Sequence, residues 1–294
     1  MDSVFKGLGI ALVTPFTRDG NVDYEGLLSL VDYHMKSGVD FLCILGTTAE
    51  TPCLTREEKQ TIKEKIVKHV RGRLPILMGC GGNCTAAVVE DIKNTDWTGI
   101  DGILSVCPMY NKPSQEGLYQ HYRAIAEVSP LPIVLYNVPG RTGVNMTADT
   151  TLRLAHEFSN IVAIKEASGK IDQIKEILEK RPKGFDVISG DDSLTLQVMK
   201  AGGVGIISVV GNAIPREFSR MVHLMQEGRL AEAKIINDEL FELYSLMFID
   251  GNPSGVKSAL HSLGKVENKL RLPLVPVTER TDKRIAEILK DITI

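Results

Sequence analysis

The sequence predicts an α/β fold, a (β/α)8 barrel with a small C-terminal helical region, and three observations carry that prediction. Eight short runs are almost continuously apolar: Ile10 to Val13, Val39 to Leu45, Leu74 to Met78, Gly102 to Val106, Pro132 to Tyr136, Ile161 to Lys165, Phe185 to Ile188 and Val204 to Val209. Strands buried on both faces read this way. Each run is followed by a stretch with helical periodicity, so the strands are parallel and joined by crossover helices. The chain has 294 residues, which suits one barrel of about 250 residues with a small addition. An open doubly wound sheet gives a similar alternation, but eight evenly spaced units favour closure.

The helical stretches follow in order. Tyr24 to Lys36 carries Leu27, Leu28, Val31 and Met35 on one face. Thr55 opens the next helix with Glu58 three residues on, the spacing of a capping box. Thr85 to Asp96, Ser114 to Glu127, Thr147 to Glu157, Lys170 to Glu179, Ser193 to Lys200 and Pro215 to Glu227 complete the barrel, expected to span residues 1–228. Beyond it the strand pattern stops. Arg229 to Phe248, Pro253 to Leu263 and Thr281 to Asp291 read as the helices of a C-terminal region over residues 229–294.

A hydrophobic share of 43% is enough for a sizeable core, and a net charge of -3 argues against a nucleic-acid or anionic-membrane surface. Cys43, Cys53, Cys80, Cys84 and Cys107 are odd in number and lack a tight spacing pattern, so reduced thiols are expected rather than a disulfide framework. The first residues lack the pattern of a signal peptide, and no apolar stretch is long enough to span a bilayer. A soluble, cytoplasmic protein is the expectation.

Barrel enzymes carry their sites at the C-terminal ends of the strands. Lys165 closes the apolar run Ile161-Val162-Ala163-Ile164. A lysine there can snorkel to solvent. In a barrel mouth, desolvation instead favours the neutral amine that attacks a ketone. Tyr136, at the end of the neighbouring run, can move the protons, or can be a rim tyrosine with a satisfied hydroxyl. Thr47 and Thr48 can satisfy loop backbone or cradle a carboxylate. Arg141, between Pro139-Gly140 and Gly143, reads as a loop guanidinium able to clamp a carboxylate in bidentate fashion, or as a surface ion pair.

Other motifs carry less. Asp191-Asp192 reads better as a helix N-cap than as a metal site. Gly79-Cys80-Gly81-Gly82 lacks a dinucleotide fingerprint. Cys80 and Cys84 have no partners at metal spacing. His34, His69, His121, His156, His223 and His261 fall mostly in helical stretches and receive no catalytic role.

Together the segments GIALVTPF, GTTAET, PMYNKPSQEGLYQHY, YNVPGRTG, IKEASG, SGDD and GIISVVGN resemble the dihydrodipicolinate synthase family, in order and through nearly the whole chain. The resemblance implies that Lys165 forms a Schiff base with pyruvate and that Tyr136 is the proton donor and acceptor. Thr47 is then the relay hydroxyl between Tyr136 and Tyr110, and Tyr110 reaches the site of a neighbouring subunit. Thr48 binds the pyruvate carboxylate, with the backbone of Ile207 and with Gly190 nearby. Arg141 clamps the carboxylate of L-aspartate 4-semialdehyde. No metal or organic cofactor is implied, because the protonated imine is the electron sink. The implied assembly is a homotetramer, a dimer of dimers.

The chain departs from the family pattern in a few places. Ala49 stands where glycine is usual, which narrows the backbone choices of that loop. Met109 replaces a frequent tyrosine beside Tyr110. Arg56, Lys59, Asn83 and Ala87 occupy the positions of an effector cleft for L-lysine, with two histidines replaced by cations and a glutamate by Ala87. The resemblance therefore implies weak inhibition by L-lysine or none. The nearest rival function is another pyruvate lyase on the same scaffold, such as N-acetylneuraminate lyase or a keto-deoxy-sugar-acid aldolase. A non-catalytic barrel is a further alternative that the fold alone permits.

Overall fold

The structure is a computed structural model that describes residues 4–292. Eight parallel strands are hydrogen-bonded in chain order as a closed barrel. They are β1 (Gly7–Ala11), β2 (Phe41–Ile44), β3 (Ile76–Gly79), β4 (Gly102–Val106), β5 (Ile133–Asn137), β6 (Ile161–Glu166), β7 (Asp186–Ser189) and β8 (Gly205–Ser208). The helices between them are α1 (Tyr24–Lys36), α2 (Arg56–Val70), α3 (Thr85–Asn94), α4 (Gln115–Val128), α5 (Pro139–Thr142), α6 (Ala148–Glu157), α7 (Ile171–Lys180) and α8 (Thr195–Lys200). After β8 come α9 (Pro215–Gln226), α10 (Leu230–Leu246), α11 (Ser254–Ser262) and α12 (Glu279–Asp291).

All eight apolar runs became strands, with ends shifted by a few residues. The largest shift is β1, which starts three residues earlier than the apolar run. Gly7 and Gly9 made that stretch look poor in strand character. Gly9 is there because a Cβ would meet the Phe41 ring of β2 at 2.2 Å, so the close approach of an aromatic replaces the missing side chain. α1 has the predicted bounds. α2 carries the full capping box, with Glu58 N donating to Thr55 Oγ1 at 3.2 Å and Thr55 N to Glu58 Oε2 at 2.9 Å. Ser114, Thr147 and Thr278 cap α4, α6 and α12 with their side chains. α5 corrects the expectation of a loop around Arg141: Pro139 occupies the first turn of a single helical turn, where its missing N–H costs nothing.

The chain forms two compact units. Among the described residues, one is Pro75–Ile207 together with residues 4–6; the other is Gly7–Leu74 together with residues 208–292. In the first, Tyr122, Ile125, Ile133, Leu135, Ile164, Ile177 and Val187 share one buried apolar cluster. Tyr122 sits in it because its hydroxyl donates to Ser105 O at 3.0 Å. In the second, Asn212 is fully buried and explains the last letter of GIISVVGN. Its Nδ2 donates to Ala11 O at 2.9 Å and Val209 O at 3.0 Å, and its Oδ1 accepts from Val13 N at 3.2 Å. It thereby staples the turn after β8 to the end of β1. His34 of α1 donates from Nε2 to Asn212 O at 3.1 Å. Burial pushes its pKa down to about 4, so the imidazole is neutral and structural.

All five cysteines are free, and burial pushes the Cys80 and Cys107 thiols up to about 12. Among the described residues no helix is long and apolar enough to cross a membrane.

Candidate active site

Lys165, Tyr136, Thr47, Thr48, Tyr110, Arg141, Gly190 and Ile207 each lie in a strand or within a few residues of a strand's C-terminal end. Lys165 is the penultimate residue of β6 and pairs in register with Tyr136 of β5 on one side and Ile188 of β7 on the other. Each is 6% exposed. The Lys165 Nζ lies 4.4 Å from the centroid of the Tyr136 ring. Gly190, the first residue after β7, makes room for the lysine arm. A Cβ at that position would meet Ala167 Cβ at 2.7 Å and Lys165 Cε at 3.1 Å. The Gly190 N–H donates to Glu166 O at 2.8 Å, which holds the two strand ends together. A buried amine beside a phenol, with its stem cleared by a glycine, suits attack on a carbonyl with proton transfer alongside.

The strand end is rigid because of residues that sequence reading passed over. Successive strand residues face opposite ways, so Glu166 points away from the Lys165 side. Its carboxylate is 1% exposed and accepts from Ser168 N at 2.8 Å, Gln173 Nε2 at 3.0 Å and Asn137 Nδ2 at 3.1 Å. Asn137 in turn accepts from Met146 N at 3.0 Å. Burial raises the Glu166 pKa, and the hydrogen bonds from Ser168, Asn137 and Gln173 pull against that rise. The signal was available: Glu and Asn each follow a site residue at the end of a buried strand, and a polar group there needs partners.

Tyr110, in the loop after β4, is tied to α5, which carries Arg141. The Tyr110 N–H donates to Thr142 O at 3.2 Å. Tyr110 is 88% exposed and has φ +73, a left-handed conformation costly for an aromatic residue. Arg141 is exposed on α5. Ile207 is buried in β8 at 1% exposure.

Thr47 and Thr48 belong to the other compact unit, in a single 3-10 turn, Thr47–Ala49, after β2. Leu45 (φ +52) and Glu50 (φ +55) bracket that turn in left-handed backbone. Non-glycine residues in that region cost on the order of 1 kcal/mol or more and persist where surroundings over-determine them, often at functional sites. Ala49 is buried within the turn and is not itself in the left-handed region, so alanine in place of glycine brings no strain there. Thr48 is 3% exposed and its Oγ1 accepts from Asn252 Nδ2 at 3.1 Å. Asp191 is the expected cap: its carboxylate accepts from Ser193 N at 2.9 Å and from the Ser193 hydroxyl at 2.7 Å.

A closed parallel barrel with an amine and a phenol paired at adjacent strand ends is an arrangement suited to a lyase of the class I aldolase type. Comparison with known proteins narrows the class. The family model described as the dihydrodipicolinate synthetase family matches residues 4–292. A protein of Phocaeicola vulgatus named 4-hydroxy-tetrahydrodipicolinate synthase is 60% identical, over 98% of this chain and 97% of its own length. The crystal structure of dihydrodipicolinate synthase from Thermotoga maritima superposes with a TM-score of 0.96 at 40% identity, covering 98% of this chain and 99% of that one. A lysine-bound structure of the enzyme from Cyanidioschyzon merolae matches at 38% identity with a TM-score of 0.93, covering 98% of each chain. The chain belongs to the dihydrodipicolinate synthetase family.

Proposed function

We propose that this chain condenses pyruvate with L-aspartate 4-semialdehyde to 4-hydroxy-tetrahydrodipicolinate, a step of diaminopimelate and lysine biosynthesis. The observation that carries this reading is the buried Lys165 amine over the Tyr136 ring, with Gly190 clearing its path. The Lys165 amine adds to the pyruvate ketone, and water leaves to give a protonated imine. Loss of a methyl proton gives an enamine, whose carbon attacks the aldehyde of the semialdehyde. The substrate's own amine then displaces Lys165 as the ring closes. Tyr136 carries protons to and from these intermediates, with Thr47 relaying them toward Tyr110. Thr48, with Gly190 and the backbone of Ile207, holds the pyruvate carboxylate, and Arg141 holds that of the semialdehyde.

Tyr110 supports a further part of the proposal. An aromatic ring 88% exposed on a left-handed residue gains little from packing within the chain. A homotetramer, a dimer of dimers in which Tyr110 enters a neighbouring subunit's site, accounts for both features. The protein is proposed to act in the cytoplasm.

Arg141 separates this reading from the sugar-acid lyases that share the scaffold. Arg141→Ala is expected to raise the KM for the semialdehyde by about 10- to 100-fold, the scale of a lost charge-assisted hydrogen bond. Pyruvate trapping should be spared. Steady-state kinetics with the semialdehyde and with sugar-derived aldehydes checks this. Equal loss with every aldehyde, or loss of pyruvate trapping, contradicts the assignment.

A further inference from the structure

Thr48 differs from its neighbours in what its hydroxyl does. Thr14 and Thr51 donate to the backbone carbonyls of Ala49 at 2.8 Å and Gly46 at 2.7 Å. Thr48 instead receives a hydrogen bond, from Asn252 Nδ2 at 3.1 Å, in a buried setting. A hydroxyl has one proton and two lone pairs. A primary amide nitrogen can only donate, so with the Asn252 amide in this orientation the Thr48 proton points away from it.

We propose that Asn252, just before α11, is a positioning residue that aims the Thr48 hydroxyl proton at the carboxylate of the bound 2-keto acid. The proposal rests on the reading of Thr48 as the contact for that carboxylate. An amide donating into the hydroxyl polarises it and strengthens the bond it donates onward. The acceptor is an anion, which makes that onward bond a charge-assisted one.

The helix that follows Asn252 ties to the same segment a second time. Lys257, five residues after Asn252, reaches back to Glu50, two residues after Thr48. Its Nζ lies 2.5 Å from Glu50 Oε1 and 2.9 Å from Lys269 O. Both side chains of the Lys257–Glu50 pair are fully buried. The other Glu50 oxygen accepts from Arg271 N at 2.9 Å. The Arg271 guanidinium forks onto Glu58 at the start of α2 at 2.6 Å through both terminal nitrogens. Two struts, Asn252 to Thr48 and Lys257 to Glu50, thus hold the segment whose ends at Leu45 and Glu50 sit in left-handed backbone. The C-terminal helical region acts on substrate binding without supplying a group that touches substrate.

The test is a double-mutant cycle on the full-length enzyme, with KM for pyruvate, kcat and thermal unfolding measured for each variant. Asn252→Ala is expected to raise the KM for pyruvate by about 10- to 100-fold, the range for a lost hydrogen bond to a charged group, with a smaller change in kcat. In a Thr48→Val background the same substitution should add nothing further. Asn252→Asp keeps the side-chain shape, so it serves even if the alanine variant folds poorly. Its carboxylate accepts the Thr48 proton, and the KM should rise at least as far. A wild-type KM for Asn252→Asp overturns the proposal. So does an Asn252→Ala effect of equal size with and without the Thr48 hydroxyl, which marks Asn252 as a purely structural residue. Thr48→Val with an unchanged KM for pyruvate sinks the carboxylate reading of Thr48 itself, a distinguishable failure that removes this proposal with it.

Discussion

Tyr136→Phe is expected to lower kcat by about 10²- to 10⁴-fold, the usual worth of a positioned proton-transfer group, while the KM for pyruvate changes little. The ring remains, so the packing over Lys165 at 4.4 Å remains with it. Only the hydroxyl is lost, and with it the route for protons during imine formation and enamine generation. Steady-state kinetics, with circular dichroism to check the fold, decides. A kcat within about threefold of the parent would show that Tyr136 contributes packing and no proton transfer.

The second large effect concerns stability. Lys257→Met is expected to destabilise the protein by about 3–5 kcal/mol, because it leaves the Glu50 carboxylate buried without its cation. Burial pushes the Lys257 pKa down to about 8 against the pull of Glu50, so in the parent the desolvation of the ammonium outweighs its attraction to the carboxylate. Changing both partners, Lys257→Met with Glu50→Gln, should recover more than half of the loss, since no unpaired charge then remains. Denaturant unfolding read by fluorescence measures both. A single-variant loss below about 1 kcal/mol would mean that water reaches Glu50 or that the pair contributes little.

These two regions differ in how visible they are in the amino-acid sequence. The barrel was legible because each strand is buried on both faces, and continuous apolar runs such as Ile161 to Ile164 follow directly. Lys165 stood out as a charge ending such a run, and Tyr136 as a phenol at the same level of the next strand. The boundaries of β1 were not legible, because the Phe41 ring that fills the space above Gly9 lies 32 residues further on. The helical turn of α5 was hidden by Pro139 and Gly140, which mark loops more often than first turns. Glu166 and Asn137 were readable as polar groups at buried strand ends, but their partners Met146, Ser168 and Gln173 come from separate loops and a helix. Glu50 and Lys257 are 207 residues apart. Nothing local in either segment announces the pair, and a lysine at helical spacing reads as a solvated face.

The central claim is that Lys165 forms a covalent imine with pyruvate. Borohydride reduction in the presence of pyruvate, followed by intact-mass analysis and peptide mapping, measures it directly. The expected result is one reduced pyruvyl unit per chain, located on Lys165, and none in Lys165→Ala. An unmodified parent chain, or an adduct that survives in Lys165→Ala, would contradict the Schiff-base account.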